Sequence, residues 1–274
     1  MRRILAFLVL ILAAALPAAA ALPGPLSVNS NSIKIALPGA LGLDTEVSLS
    51  FEDVTELNLL SLGLSVRIVN PLDPALRARL PEGTALSPLP VMLRIEPPVR
   101  GELSFRGVAS FDIHTELLPY APDSPLRIFS APLGGPFRDI TVDMGPGSYR
   151  ARGETGGFSE FLIAIDNRPL EQVIATKLDA LDAMVGSSGT SLSASVYDDL
   201  QDCLQAIRTR TAASTTQAAV GQVDRFLAIV EEHSGTDIPD VWRAARDVEN
   251  VAGNLRAAAL SLRFSLVLKD DSGL

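Results

Sequence analysis

The pattern of apolar and polar residues changes at about residue 166, and the two parts of the chain predict different secondary structure. Before that point, short runs alternate between apolar and polar residues, as strands with one buried face require. Proline and glycine stand in nearly every gap between these runs, where they interrupt strands and favour turns. The predicted strands are Ser32–Leu37, Glu46–Phe51, Leu64–Val69, Val91–Glu96, Val108–Leu117, Leu126–Phe129, Asp139–Asp143, Ser148–Arg152 and Ser159–Ile165. A succession of short strands without intervening helices is typical of an antiparallel β-sandwich.

From Asn167 onward the apolar residues recur at intervals of three and four, which predicts helices. Pro169 suits the first turn of the first helix, and a segment rich in glycine and serine separates that helix from the second. Ser214 and Gln217 have the spacing of a capping box for the third helix, and Gly235 lies past its end. The apolar positions that define these helices are Leu170, Val173, Ile174, Leu178, Leu181 and Met184, then Leu192, Val196, Leu200, Cys203, Leu204 and Ile207, and finally Val220, Val223, Phe226, Leu227 and Val230.

A fourth helix is predicted from about Asp237 to Leu260, and its pattern is the most regular in the chain. Its apolar positions form a heptad seam with alanine at one core position, which allows a neighbouring helix to approach closely. The seam consists of Ala245, Val248, Ala252, Leu255, Ala259 and Leu262. It fits either an intramolecular helix pair in a bundle or a coiled coil with a second chain. From Leu260 to Lys269 apolar and polar residues alternate, which predicts a final strand that returns to the sheet.

These patterns together predict an α+β chain of two parts. Residues 22–166 are expected to form an antiparallel β-sandwich, and residues 167–274 an α-helical bundle of about four helices. The 274 residues suffice for one large domain or two ordinary ones. An apolar content of 47% indicates a packed core and argues against disorder.

The N-terminus, residues 1–21, has the three parts of a secretory signal peptide. Two arginines supply a positive start, Ile4–Leu16 forms a continuous apolar stretch, and Pro17 precedes a run of alanines. We therefore expect cleavage near Ala20 or Ala21 and a mature protein in the periplasm or the medium of a bacterium. The alternative is an uncleaved membrane anchor, because the apolar stretch is just long enough to span a bilayer.

Charge and cysteine content narrow the range of partners. The chain carries 23 basic and 32 acidic side chains, and loss of Arg2 and Arg3 with the signal takes the net charge from −9 to −11. Such a chain repels phosphate backbones and anionic lipid headgroups, so we expect no binding to nucleic acid or to a membrane surface. After the signal peptide no stretch is long and apolar enough to cross a bilayer, so we expect no membrane span after signal cleavage. The single cysteine, Cys203, excludes an intramolecular disulfide. It is expected in the core of the second helix, with an intermolecular disulfide as the alternative.

The sequence offers few groups with catalytic or metal-binding spacing. Neither of its two histidines, His114 and His233, lies in a cluster typical of metal ligands. His114 is expected on the exposed face of a strand, and His233 at a helix C-terminus, where its protonated form is favourable. Ser159 follows Gly157 but lacks the second glycine of a nucleophile elbow. We therefore predict no catalytic residues, no metal ligands and no cofactor.

Acidic residues are plentiful, and most are expected on solvated surfaces. The adjacent pairs are Glu52 with Asp53, Asp198 with Asp199, and Asp270 with Asp271. Asp139 and Asp143 are the one pair that we would test as calcium ligands, because loops of a sandwich can bind calcium through carboxylates.

A family resemblance rests on strand-like segments between Val91 and Ile165. An Arg-Ile strand ends in Pro97 and Pro98, Leu103-Ser104-Phe105 opens the next pair of strands, and a phenylalanine-serine step occurs at Phe158. Residues 91–165 resemble the immunoglobulin-like β-sandwich of ankyrins and netrin receptors and of its bacterial exported relatives. That family usually has a histidine before the phenylalanine-serine step, where this chain has Gly157. The resemblance implies a sandwich and a role in protein contacts, and it carries over no catalytic residues.

These observations predict an exported, non-enzymatic protein that binds another protein, either an envelope partner or a second copy of itself. Carbohydrate or cell-wall binding is the first alternative, and it requires exposed aromatic platforms. The aromatic residues available for such platforms are Trp242, expected in a helix, and Tyr120, Tyr149 and Tyr197. The second alternative is a hydrolase whose site uses His114.

Overall fold

The computed structural model describes residues 20–21, 26–37, 45–89, 91–119, 121, 124–145 and 148–271. Its elements, numbered here in chain order, form two antiparallel sheets of mostly N-terminal strands, followed by C-terminal helices. The predicted α+β class is therefore confirmed at this level. The predicted signal peptide lies outside the described residues except for Ala20 and Ala21.

The first sheet contains seven strands and provides one wall of the largest apolar core. In spatial order it consists of β1 (Ala20–Ala21), β5 (Leu64–Ile68), β7 (Val91–Ile95), β13 (Glu160–Asp166), β9 (Leu126–Ala131) and β10 (Arg138–Asp139), with β6 (Thr84–Leu86) also paired to β13. Its central strands are buried on both faces, since Phe129 and Leu162 face a second, smaller apolar cluster.

The second sheet also contains seven strands. In spatial order it consists of β11 (Thr141–Gly145), β12 (Ser148–Thr155), β8 (Ser104–Pro119), β4 (Thr45–Thr55), β3 (Ser32–Ala36) and β2 (Leu26–Val28), with β14 (Val241–Arg243) also paired to β8. Alternate residues of β4, such as Val47 and Leu49, face the same core as the first sheet. Phe111 of β8 stacks on Phe161 of β13 with ring centroids 4.6 Å apart, so side chains of the two sheets meet directly.

The helices are two short turns between strands and four long helices after residue 169. They are α1 (Leu59–Leu62), α2 (Pro74–Arg77), α3 (Leu170–Ser188), α4 (Ala194–Ala212), α5 (Thr216–His233) and α6 (Val251–Asp271). The long helices bury most of the predicted apolar positions in a common core, against which Leu170, Met184 and Leu227 pack partly buried. Val173 is buried outside this core. The capping box predicted at Ser214 is wrong: Ser214 has φ +53° and Thr215, which flanks α5, makes no side-chain capping bond.

The predicted fourth helix begins later than expected, and the predicted final strand is wrong. Residues 241–243 form β14 because Trp242 stacks on Phe105 of β8, with ring centroids 5.4 Å apart. Helix α6 then starts at Val251 and continues through the segment that was predicted to be a strand. The polar residues Ser261 and Ser265, which the alternation assigned to an exposed face, are buried one helical turn apart.

Helix α6 belongs to both halves of the protein. It packs on α3 and α5 and also contacts β8, β11 and β12. At its N-terminus Asn250 is buried and donates through Nδ2 to the carbonyl oxygens of Gly107 (2.7 Å) and Gly156 (3.1 Å). The Asn250 Oδ1 accepts a hydrogen bond from the Gly253 N–H at 2.8 Å, which caps the helix. One amide group therefore fixes the start of α6 against two segments of the second sheet.

We expect Asn250→Ala to lower the free energy of unfolding by about 2–3 kcal/mol, because two buried carbonyls and one helix N–H lose their partner. Urea denaturation of the full chain measures the change. Asn167→Ala is the matched control, since Asn167 is exposed, and it should change stability by less than about 0.5 kcal/mol. Equal effects of the two substitutions would contradict this account of Asn250.

Among the described residues, one helix has the length and composition of a membrane span. It is α6, with a mean hydropathy of 1.3 over its most apolar window, and 56% of that window is buried inside the protein. The apolar side chains of α6, such as Leu255 and Leu262, lie in the helical core. The absence of a span after signal cleavage stays a prediction.

Candidate functional site

An aromatic groove lies where β14 and the end of β12 meet the first sheet. It has a volume of about 250 Å³ and is lined by Pro97, Pro132, Leu133, Phe158, Trp242 and Arg246, among others. Trp242 and Phe158 are half-buried and meet edge to face, with ring centroids 4.7 Å apart. Trp242 thus lies in a strand, and its predicted helical position is wrong.

Gly157 permits this arrangement of rings. A Cβ atom at Gly157 would lie 3.3 Å from Cδ1 and 3.4 Å from Nε1 of Trp242, closer than ordinary contact. A residue with a Cβ at this position would therefore require the indole to shift by a few tenths of an ångström. Gly157 thus allows β14 to pack with Trp242 close to the end of β12.

Contacts of Arg79 fix the loop that carries Leu133. Arg79 forms an ion pair with the buried Glu160 and donates through Nε to the Gly135 carbonyl at 2.8 Å. The Arg79 guanidinium also lies 4.5 Å from the centroid of the Phe137 ring. Leu133 itself is 55% exposed, so the fixed loop presents an apolar side chain to solvent beside the groove.

The charged rim of the groove consists of Arg94, Glu96 and Arg246. Arg94 forms an ion pair with Glu96, and the Arg246 Nη2 lies 3.8 Å from Glu96 Oε1. Two guanidinium groups therefore share one carboxylate, which leaves an excess positive charge at the rim. Arg246 also has φ +55°, a left-handed conformation that costs a residue with a Cβ about 1–2 kcal/mol. Strained backbone of this kind is enriched at functional sites.

A second concave region lies between the edge strands β10–β12 and helices α3 and α6. It is a cavity of about 90 Å³. Its apolar wall includes Phe137, Val173, Ala180, Met184, Ala257 and Ala258. Because it lies where strands meet helices, both halves of the chain contribute to its wall.

A buried ion pair crosses this junction beside the cavity. The Lys177 Nζ lies 2.6 Å from Asp139 Oδ2, and the two side chains are 9% and 2% exposed. Nζ also donates to Ser265 Oγ at 2.9 Å and to the Ser261 carbonyl at 3.0 Å. Asp139 Oδ1 accepts from the Thr141 N–H at 2.9 Å.

The pair consists of two charged groups that stabilise each other. Burial opposes ionisation of Asp139, but attraction to Lys177 and the hydrogen bonds outweigh it, so the pKa of this carboxyl is lowered. Burial lowers the pKa of the Lys177 ammonium, and attraction to Asp139 opposes that shift. The burial of Lys177 could have been predicted from the sequence, because this charged residue lies on the apolar face of α3 next to Leu178.

Three other ionisable residues line the cavity wall, namely Arg138, Glu154 and Arg168. Burial raises the pKa of Glu154, whose Oε2 has no hydrogen-bond partner among the described residues. Arg168 holds Asp166 through two parallel hydrogen bonds of 2.8 and 2.6 Å, which raise the pKa of the guanidinium.

The calcium hypothesis for Asp139 and Asp143 finds no support in this geometry. Asp139 is buried against Lys177, whereas Asp143 is exposed on β11. Within the described part of the chain, no group of three His, Cys, Asp or Glu side chains is arranged to hold a metal ion. Asp198 and Asp199 are exposed as expected, and so is the pair Asp270 and Asp271.

The remaining residues considered in the sequence lie apart from both regions. His114 is half-buried on β8, in register with Glu46 of β4 and Arg150 of β12. His233 ends α5, and its Nδ1 lies 2.8 Å from Asp237 Oδ2. Cys203 is 1% exposed in the helical core, as predicted, and burial raises the pKa of its thiol.

No curated protein matches this chain. The model of a family of unknown function, DUF6689, matches residues 7–269, nearly the whole chain. The chain therefore belongs to the DUF6689 family.

Proposed function

We propose that this is an exported, non-enzymatic protein that binds a segment of another protein in the aromatic groove. The observation that carries the proposal is the groove itself: a fixed, half-buried Trp242 lies among Leu133, two prolines and the strained Arg246. Tryptophan and arginine are the residues most enriched among those that dominate protein–protein binding energies. Proteins rarely keep a non-glycine residue in a left-handed conformation unless the surroundings require it.

The chemistry of the groove defines the occupant. Its floor is mostly apolar and aromatic, and the buried Glu160 that also lines it is paired with Arg79. Its rim has two arginines for one carboxylate. We infer an extended peptide segment with an apolar anchor side chain next to an acidic residue. The anchor would lie against Trp242 and Leu133, and the carboxylate would reach Arg246. This protein is acidic overall and would repel an acidic segment. The excess positive charge at the rim of the groove reduces that repulsion locally.

The fold that supports this proposal is a β-sandwich with a bundle of four helices attached. The shared core of the two sheets supports the sandwich, and the common core of α3 to α6 supports the bundle. An immunoglobulin-like sandwich would agree with a role in protein contacts. Export is part of the proposal: N-terminal sequencing of the mature protein should begin at Ala21 or Leu22, and a full-length, membrane-anchored chain would contradict it.

Selection of a phage-displayed library of random peptides on the full mature chain tests the groove. We expect enriched peptides that combine apolar and acidic residues and that bind Leu133→Ser about tenfold more weakly, the usual scale for a residue at the centre of an interface. Leu72→Ser is the matched control, because Leu72 is an exposed leucine (74%) outside the groove. Enriched peptides that bind all variants equally, or a selection that enriches none, would contradict the proposal.

Arg246→Gly separates binding from folding in the same assay. Glycine relieves the left-handed strain at this position, so we expect the free energy of unfolding to rise by about 1 kcal/mol. The exposed contact with Glu96 that is lost contributes little to stability. Peptide binding should nevertheless fall, because the carboxylate loses its partner. A variant that gains stability and keeps full peptide affinity would show that Arg246 has no role in binding.

A further inference from the structure

The indole N–H of Trp242 is a hydrogen-bond donor that the protein itself does not use. Phe105 stacks on the indole and Phe158 meets it edge to face, so apolar contacts fix the orientation of the ring. Nε1 is not fully buried, and it makes no hydrogen bond with any residue that the structure describes. Because residue 157 is a glycine, no side chain covers this atom, whereas a Cβ there would lie 3.4 Å from it. A ligand that lies against Trp242 therefore finds a free donor.

The side-chain acceptors of the groove, in contrast, are already engaged. Three of the polar side chains that line it can accept hydrogen bonds, and each has a partner within the protein. They are Glu96, paired with Arg94, Glu160, paired with Arg79, and Ser159, whose Oγ lies 2.7 Å from the Ser130 Oγ. The guanidinium groups of Arg94 and Arg246 carry more N–H groups than the single carboxylate between them can accept. The side chains of the groove thus offer donors in excess and no unengaged acceptor.

The strands of the first sheet that end at the groove leave no backbone edge free. Peptides commonly bind as an extra strand at the edge of a sheet, where both chains exchange N–H and C=O groups. The ends of β7 and β13 line the groove, and each of these strands is already paired on both sides. Recognition at this end of the first sheet therefore depends on side chains.

We propose, on the basis of the function proposed above, that the groove recognises a proline-rich segment and that the Trp242 N–H donates to a backbone carbonyl of that segment. Proline has a carbonyl oxygen and no N–H, so it matches a surface with free donors and no free side-chain acceptor. Any other residue would bring a backbone N–H into the groove without a partner, which costs free energy. Proline-rich segments also adopt the polyproline II conformation before they bind, and aromatic grooves suit them.

Tryptophan fluorescence of the full mature chain tests the proposal, because Trp242 is the single tryptophan in the sequence. The probes are two synthetic hexapeptides that each contain one aspartate, with proline at all other positions of the first and alanine at all other positions of the second. We expect the proline peptide to change the emission in a saturable manner and to bind about tenfold or more tightly than the alanine peptide. Equal binding of the two peptides would overturn the proposal.

The same titration separates failure of this proposal from failure of the proposed function. If peptides selected by phage display change the emission of Trp242 and the proline hexapeptide does not, the preference for proline is wrong and the groove is still a peptide-binding site. If neither the selected peptides nor the hexapeptides change the emission, both proposals are wrong.

Trp242→Phe tests the hydrogen bond, because it keeps an aromatic ring and removes the indole N–H. We expect a fluorescein-labelled proline peptide to bind this variant about threefold to tenfold more weakly, as measured by fluorescence anisotropy. Tyr197→Phe is the matched control, since it removes a hydroxyl from an aromatic ring on α4, outside the groove, and it should bind as the unaltered chain does. Thermal unfolding verifies that each variant is folded. A folded Trp242→Phe variant with unchanged affinity would overturn the role of the N–H.

Discussion

Gly253→Ala is expected to destabilise the protein by about 3 kcal/mol or more, although alanine is the better helix former. A Cβ atom at this position of α6 would lie 2.3 Å from the Gly107 carbonyl oxygen and 2.4 Å from Asn250 Nδ2. The helix would have to move away from the sheet, which strains the packing and breaks the hydrogen bonds of Asn250. Urea denaturation of the full chain measures the loss.

Gly221→Ala provides the matched control for this substitution. Gly221 lies inside α5, is exposed, and has no atom within 4 Å of the position where a Cβ would stand. Alanine should therefore stabilise the chain there by about 0.5–1 kcal/mol through helix propensity alone. Two substitutions of the same kind, both in long helices, thus have opposite expected signs. A stabilising Gly253→Ala would show that α6 does not approach the sheet as closely as described.

Lys177→Met is expected to destabilise the protein by about 3–5 kcal/mol, because it leaves the carboxylate of Asp139 buried without its counter-charge. The matched control is Lys34→Met. Lys34 forms an ion pair of similar length with Glu46, 3.0 Å, but the two side chains are 55% and 50% exposed. Its loss should therefore cost less than about 1 kcal/mol. Similar losses at both lysines would contradict the assignment of the buried pair.

The double variant Asp139→Asn/Lys177→Met distinguishes an ion pair from ordinary packing. It removes both charges, so it should be more stable than Lys177→Met alone by at least about 2 kcal/mol. If the two substitutions are simply additive, the ion pair contributes nothing specific, and this account of the junction is wrong.

Acid should lower the free energy of unfolding, because it protonates Asp139 of the buried ion pair with Lys177. The pKa of Asp139 is lowered in the folded state from an ordinary value of 3.8, so the unfolded chain binds more protons in acid. The stabilisation is complete above the ordinary value and is lost as the pH falls toward the folded pKa. Below about pH 4 the free energy of unfolding should therefore fall less steeply in the double variant than in the unaltered chain.

The strands and the first three long helices were predictable because their signal is local. In β4, for example, alternate residues face the core, and the spacing of Val173 and Leu178 matches the buried face of α3. The segment 260–269 shows where local pattern fails. Ser261 and Ser265 read as solvent-facing positions of a strand, yet they are buried because Lys177, far away in sequence, hydrogen-bonds to both residues.

The candidate sites could not be predicted for a similar reason, because they depend on contacts between residues that are far apart in the sequence. Trp242 follows a helix-like pattern, and only its contact with Phe105 shows that it belongs to a sheet. Asp139 was considered as a calcium ligand because loops of a sandwich can supply carboxylates. Its lysine partner lies in another predicted element, so the sequence did not show that the carboxylate is already paired.

Helix α6 follows in the chain all the strands and helices that it contacts, which has a consequence for how the protein is made. Neither the contacts of Asn250 with the second sheet nor the core around Leu255 exists until the last 21-residue helix has been synthesised. Domains usually fold as units while synthesis continues. Here, completion of both halves depends on residues 251–271, so the two cores stay incomplete until this helix has been made. For the export proposed above, this delay would keep the chain in a state that can pass through a narrow channel.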